Sequence, residues 1–187
     1  MKIKLFFSFL ILFAFFTSCN FFNKQDSSSK ANVAETTIEL TYEVTADDGA
    51  FSIKFPAEPE FSIEPTETEV GTLFNKMYIY EYNVELSFMM AFCDYPQEYI
   101  NQYEPYGMLK GAMEGFVEAI GMTIDQQEKI DIKGHEGIDF MASGGGYWGH
   151  MRDFLVENRL YQFGILSTSG PMNEVDTEAF LDSFKLH

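Results

Sequence analysis

Four residues have types and spacing that could support chemistry: Asp139, Trp148, His150 and Arg152. An Asp–His pair with an Arg nearby can orient a general base. No Ser, Thr or Cys is placed by the sequence to serve as a nucleophile, so an ion-pair cluster in a partly polar layer is the competing interpretation. We therefore treat the four residues as a candidate binding cluster and predict no catalytic residue.

A glycine-rich turn sets the positions of these residues relative to one another. Ser143-Gly144-Gly145-Gly146 has the glycine content of a phosphate loop, but such a loop needs a following Lys and Ser or Thr and a helix behind it. A strand resumes here instead, which favours a β-hairpin. If Ala142 pairs with Tyr147, Asp139 lies opposite His150, with the arginine diagonal to Asp139 and within cross-strand reach.

Other candidate ligands and nucleophiles are weaker. His135 and Glu136 are adjacent on a predicted strand and so point to opposite faces, and the acidic stretch 58–69 lacks the ligand spacing of a calcium loop. We predict no metal and no cofactor. Cys93 follows Phe92 and precedes Asp94 in an apolar run, which predicts a buried small hydrophobic residue and not a reactive thiol.

Most of the elements that position these residues are predicted strands. Alternation or apolar runs predict strands over 37–44, 51–55, 76–82, 86–93, 129–132, 136–142, 147–156 and 159–167. Leu86 to Cys93 is almost continuously apolar, which indicates an interior strand covered on both faces. Residues 58–69 predict a loop, with a short strand over 61–63 left open.

Two helices are predicted. Residues 105–120 gather their apolar side chains on one side at helical spacing, and Gly121 is the predicted C-cap. Gly107, Gly111 and Gly115 form a seam that predicts close backbone packing, because each costs a helix about 1 kcal/mol relative to Ala. A short final helix over 177–183 is predicted to be capped by Asp176 and to bury three apolar side chains, Phe180, Leu181 and Phe184.

The N-terminal sequence predicts where the protein is located in the cell. Lys2 and Lys4 precede an apolar run over 5–16 that is too short to span a bilayer, which is typical of a signal peptide. Phe16-Thr17-Ser18-Cys19 then resembles the lipobox of bacterial lipoproteins, where the Cys is acylated and becomes the new N-terminus. We predict a signal peptide over 1–18, lipid on Cys19, a flexible tether over 19–36 and one globular domain over 37–187.

The charge balance excludes some partners. The chain has 12 Lys and Arg against 29 Asp and Glu, a formal net charge of −17. Binding to nucleic acid requires clustered cations, and the sequence has no such cluster. We therefore predict no nucleic-acid partner, and interpret the acidic excess as a solvated surface.

Three short stretches carry a resemblance to a known family. Phe51 to Pro56, the strand and turn over 151–161, and Phe180 to Leu186 resemble the corresponding motifs of the PsbP-like (Mog1/PsbP) family, over roughly residues 37–187. The resemblance implies an α+β fold, a mainly antiparallel sheet flanked by helices in an α/β/α sandwich. It also implies an accessory or binding module and gives no ligand-binding residue that can be carried over.

Together these features predict a lipid-anchored protein of the bacterial cell envelope, on the periplasmic or outer-surface side. Its partners would be the membrane, through the lipid, and an unidentified envelope protein or small ligand. The leading hypothesis is a non-enzymatic accessory or binding module. The alternatives are an envelope hydrolase that uses the Asp139, His150 and Arg152 cluster, and a structural spacer with no ligand.

Overall fold

The computed structural model describes residues 37–68 and 70–187. The predicted signal peptide over 1–18, the lipidation site Cys19 and the tether over 19–36 lie outside these residues. The described strands are β1 Tyr42–Thr45, β2 Phe51–Phe55, β3 Glu60–Thr68, β4 Gly71–Asn83, β5 Leu86–Asp94, β6 Thr123–Ile132, β7 His135–Gly144, β8 Tyr147–Val156, β9 Arg159–Ser167 and β10 Lys185–Leu186. The helices are α1 Gln97–Ile100, α2 Pro105–Ala119 and α3 Glu174–Leu181.

Seven of these strands form the central sheet. Their order is β3-β4-β5-β9-β8-β7-β6, and each neighbouring pair is antiparallel. A second, three-stranded sheet has the order β1-β2-β10. The predicted α+β class, with a mainly antiparallel sheet flanked by helices, is confirmed.

Helix α2 covers one face of the central sheet and packs on β6, β7 and β8. Its buried side chains lie on one side, as the apolar spacing predicts. The helix ends in a Schellman motif: the Met122 N–H donates to Val117 O at 2.8 Å, and the Gly121 N–H donates to Glu118 O at 3.2 Å. Gly121 has a φ of 73°, in the left-handed region. The predicted role of Gly121 at the helix end is therefore confirmed.

The opposite face is covered by the small sheet together with α3. Phe51, Phe55 and Phe180 from these covering elements are fully buried. Phe51 and Phe180 contact Phe92 and Phe88 of the central sheet, and Phe55 packs on Phe180. Strand β5 lies between the two layers: Phe88 and Phe92 face the small sheet, while Met89 and Cys93 face α2. The prediction of an interior strand covered on both faces is confirmed.

The prediction of a loop over 58–69 is wrong. Residues 60–68 form the edge strand β3, which pairs along its length with β4. The strand is exposed on both faces for most of its length, so burial imposes no alternation on its sequence. Pro65 fits because an edge strand leaves one side of its backbone unpaired.

Two predictions about the helices also need correction. A Cβ placed on Gly107 or Gly111 would have no atom within 4 Å other than those of the neighbouring residues and backbone of the same helix. Close packing therefore does not account for these two glycines. Helix α3 begins earlier than predicted, with Asn173 as N-cap accepting a hydrogen bond from the Val175 N–H. Asp176 lies inside the helix and accepts a hydrogen bond from the Ile38 N–H at 2.9 Å.

Candidate functional site

The hairpin between β7 and β8 determines where the candidate residues lie. Gly145 and Gly146 have φ of 59° and 89°, so the turn closes over these two residues, as in a type I′ loop. Gly144 therefore still pairs with Tyr147, and Ala142 pairs with Gly149. The predicted register, with Ala142 opposite Tyr147, is wrong by two residues.

A shift of two residues leaves every side chain on its predicted face, because side chains alternate with a period of two. Asp139 lies directly opposite Arg152, and His150 is the diagonal neighbour. The predicted cluster forms with these two positions exchanged. Trp148 lies beside it, with its ring centroid 6.4 Å from that of His150.

The turn is also fixed from outside the hairpin. A Cβ on Gly145 would lie 2.6 Å from Ile120 O, and one on Gly144 would lie 3.0 Å from Gly121 O. The two glycines therefore allow the turn to approach the C-terminal end of α2 closely. This contact fixes the end of the hairpin from which the cluster extends.

Asp139 is the centre of the cluster. His150 Nε2 lies 2.7 Å from Asp139 Oδ1, and Arg152 Nε donates to Asp139 Oδ2 at 2.7 Å. Burial by itself would raise the pKa of Asp139, but the hydrogen bonds with His150 and Arg152 outweigh it and lower that pKa. Asp139 is therefore ionised at neutral pH, with a partner on each oxygen.

Arg152 extends the cluster to α3. Its Nη2 donates to Glu178 Oε2 at 2.8 Å and its Nη1 donates to Asp182 Oδ1 at 2.7 Å. All three of its nitrogens are thus bonded to carboxylates, one from the sheet and two from the region of α3. These two partners could not be identified from the sequence, because an acidic residue on an exposed helix surface has no pattern that identifies a contact across the fold.

The geometry limits the chemistry open to this cluster. His150 is 4% exposed and Asp139 is 8% exposed, so little of the imidazole is available to a substrate. The nitrogen that faces Asp139 is Nε2, and the arginine is fully engaged. The arrangement orients and holds charged groups, and it joins the central sheet to α3.

A second buried carboxyl group lies on the other face of the sheet and was not singled out from the sequence. Asp153 is fully buried, its Oδ2 accepts a hydrogen bond from Gln162 Nε2 at 3.1 Å, and its Oδ1 has no partner among the described residues. Burial raises the pKa of Asp153 to about 8, although the bond from Gln162 acts in the opposite direction. Its position between Met151 and Leu155 on an apolar face was the available signal.

A cavity of about 20 Å³ adjoins this pair, with Gln162, Cys93, Phe116 and Leu160 among its lining residues. That volume accommodates about one water molecule. Burial raises the pKa of Cys93 to about 12, so its thiol is protonated at neutral pH. The prediction that Cys93 is a buried small hydrophobic residue is confirmed.

The remaining candidates for metal binding do not converge. His135 pairs with Ile132 at the end of β7, and Glu136 pairs with Asp131. Over residues 37–68 and 70–187, no group of three or more His, Cys, Asp or Glu side chains is placed to hold a metal ion. In the same residues, no helix is long and apolar enough to cross a membrane.

Comparison with known proteins gives a likeness in fold. No protein-family model matches this chain, and no curated protein matches it. The solution structure of cyanobacterial PsbP (CyanoP) from Synechocystis is similar, with a TM-score of 0.49 and 11% sequence identity, over 86% of this chain and 98% of that chain. We transfer no residue role from this likeness.

Proposed function

We propose that this chain is a lipid-anchored protein of the bacterial cell envelope whose folded domain binds a partner and catalyses no reaction. The lipobox-like Phe16-Thr17-Ser18-Cys19, directly after an apolar run over 5–16, supports the anchor. Arg152 supports the second half of the proposal. Its three nitrogens are all bonded to carboxylates, one on the sheet and two at α3, and these bonds join α3 to the sheet. This is the arrangement of a structural ion-pair cluster.

Membrane fractionation of cells that express the full chain tests the anchor. Cys19→Ala removes the proposed acylation site, and we expect the protein to leave the membrane pellet, because acyl chains would be its attachment to the bilayer. Cys93→Ala is the matched control and should remain in the pellet. Retention of Cys19→Ala after a high-salt wash would refute the anchor.

The non-catalytic part is tested separately. The purified protein is assayed against a panel of ester, peptide and glycoside substrates, beside His150→Ala. We expect no turnover above background from either protein. Turnover that His150→Ala abolishes, while the variant keeps its circular dichroism spectrum, would replace this proposal with the hydrolase alternative.

A further inference from the structure

Strands β3 and β4, at one edge of the central sheet, expose an apolar strip. Phe61, Ile63 and Phe74 are 48%, 51% and 56% exposed, whereas the same face of the sheet is covered further in by the small sheet and α3. The strip lies on one face because Phe61 and Ile63 alternate along β3, and Phe74 is opposite Pro65. We call these three residues the apolar shelf.

The shelf borders an open strand edge. Strand β3 is nine residues long, and within residues 37–68 and 70–187 it pairs with β4 alone. Thr68 pairs with Gly71 across the turn, so alternation makes Pro65 and Phe74 a pair without ladder hydrogen bonds. The backbone groups of Phe61, Ile63 and Glu67 therefore point to the open edge, and Pro65 removes one donor from it.

The charges along this edge have one sign. Glu60, Glu64 and Glu67 are exposed on β3, and the strand contains no Lys or Arg. Glu60 and Glu64 lie on the face opposite the shelf, because they alternate with Phe61 and Ile63. The edge thus presents Glu60 and Glu64 on one face and the apolar shelf on the other, with Glu67 at the end of the shelf face.

The opposite edge of the sheet differs. Strand β6 carries Lys129 as well as acidic residues, and its three isoleucines are partly buried. Edge strands commonly carry charges, often Lys, that prevent unwanted pairing. On β3, Glu60 and Glu64 lie on the face opposite the shelf, and Glu67 is the one charged residue of the strand on the shelf's own face, beyond Pro65.

We infer that β3 accepts an extended segment of a protein partner as an additional antiparallel strand. The segment would alternate apolar residues, which cover the shelf, with Lys or Arg, which lie beside Glu60 and Glu64. Backbone hydrogen bonds supply attachment in this mode of recognition, and alternate side chains supply specificity. The inference rests on the proposed binding function and names the chemistry of the partner.

Charge complementarity selects this occupant over two others. A second copy of the chain would place the glutamates of two β3 strands against each other, in a molecule with a net charge of −17. An anionic lipid surface would meet the same carboxylates and would leave the open backbone groups unpaired. A basic strand neutralises the carboxylates and pairs the backbone.

The test uses the full chain as its host produces it, reconstituted in zwitterionic nanodiscs, with a fluorescein-labelled, end-capped peptide of alternating lysine and valine. Binding is followed by fluorescence anisotropy. We expect saturable binding that Ile63→Lys and Glu64→Lys each weaken at least tenfold. Ile63→Lys puts a charge where the valines of the peptide would cover the shelf, and Glu64→Lys places a cation beside its lysines. Asp125→Lys, on exposed β6, makes a comparable change of charge and should leave affinity unchanged.

Amide exchange measured by NMR locates the peptide. Bound peptide should slow exchange at the N–H groups of Phe61, Ile63 and Glu67 and leave those of Ser62 and Glu64 unchanged, because the latter already pair with β4. Equal binding of a glutamate–valine peptide, equal loss of affinity in Asp125→Lys, or no slowing at these three amides would overturn the inference.

Self-association through β3, or binding of free anionic vesicles that Ile63→Lys abolishes, would also overturn it, in favour of the corresponding occupant. The fractionation and turnover experiments that test the proposed function use different residues and readouts. Failure of the peptide to bind therefore leaves the outcome of those experiments unchanged.

Discussion

Replacement of Asp153 by Asn is expected to stabilise the protein, increasingly so as the pH rises. The carboxyl is fully buried, and its pKa is raised from the ordinary 3.8 to about 8. Between these values the folded state holds a proton that the unfolded state has released, so this residue's contribution to stability falls as pH rises. It is constant below pH 3.8 and again above pH 8.

The size of the effect follows from the same two values. Each pKa unit corresponds to about 1.4 kcal/mol, so at pH 7 the raised pKa costs the folded state roughly 4 kcal/mol relative to acid conditions. Asn has no such dependence, and its side-chain oxygen can still accept the hydrogen bond from Gln162. Between pH 5 and pH 7 the advantage of Asp153→Asn should grow by about 2.7 kcal/mol.

Urea denaturation of both proteins at pH 5, 6, 7 and 8 measures this difference, and the contributions of all other carboxyl groups cancel in the subtraction. Asp182→Asn is a suitable control, because the Asp182 carboxylate, which pairs with Arg152 at the end of α3, is largely exposed. A difference between Asp153→Asn and the parent protein that does not change with pH would refute the reasoning. It would mean that Asp153 is ionised in the folded state.

Three further changes test the packing around the cluster. Asp139→Asn should lower the free energy of unfolding by about 3 kcal/mol at pH 7 in a urea titration, because it leaves the buried His150 without its carboxylate partner. Because the pKa of Asp139 is lowered in the folded state, this loss should shrink as the pH falls below 3.8. Gly145→Ala should lower the melting temperature more than Gly146→Ala, because both strain a positive φ but only the first adds a clash with backbone. Asn173→Ala should cost about 1 kcal/mol in thermal unfolding through loss of the N-cap of α3.

Elements with strong local patterns could be predicted from the sequence. The continuous apolar run of β5 predicted an interior strand, and the helical spacing over 105–120 predicted α2, because burial on defined faces leaves a period in the sequence. Strand β3 could not be predicted in full. It is exposed, so pairing with β4 alone defines it, and pairing between separate strands leaves no period in either one.

The candidate cluster was predicted on the right face but with the wrong opposite pair. The period of two fixed the face, while the register depends on how many glycines the turn uses, which is decided by backbone conformation at Gly144 to Gly146. Glu178 and Asp182 could not be predicted as partners of Arg152, since the contact joins elements that are distant in sequence. Asp153 was missed because a single acidic residue in an apolar strand does not reveal its partner.

The bond between the Ile38 N–H and Asp176 has a mechanical consequence. Tension applied to the chain ahead of residue 37 would first load this bond, which passes the force to α3. Arg152 would then carry it into the central sheet through Glu178 and Asp182, in parallel with the four residue pairs of β1 and β2. If the chain is tethered at its N-terminus, α3 as well as β1 would bear a pulling force on the domain. The helix would thus resist separation of β1 from the fold.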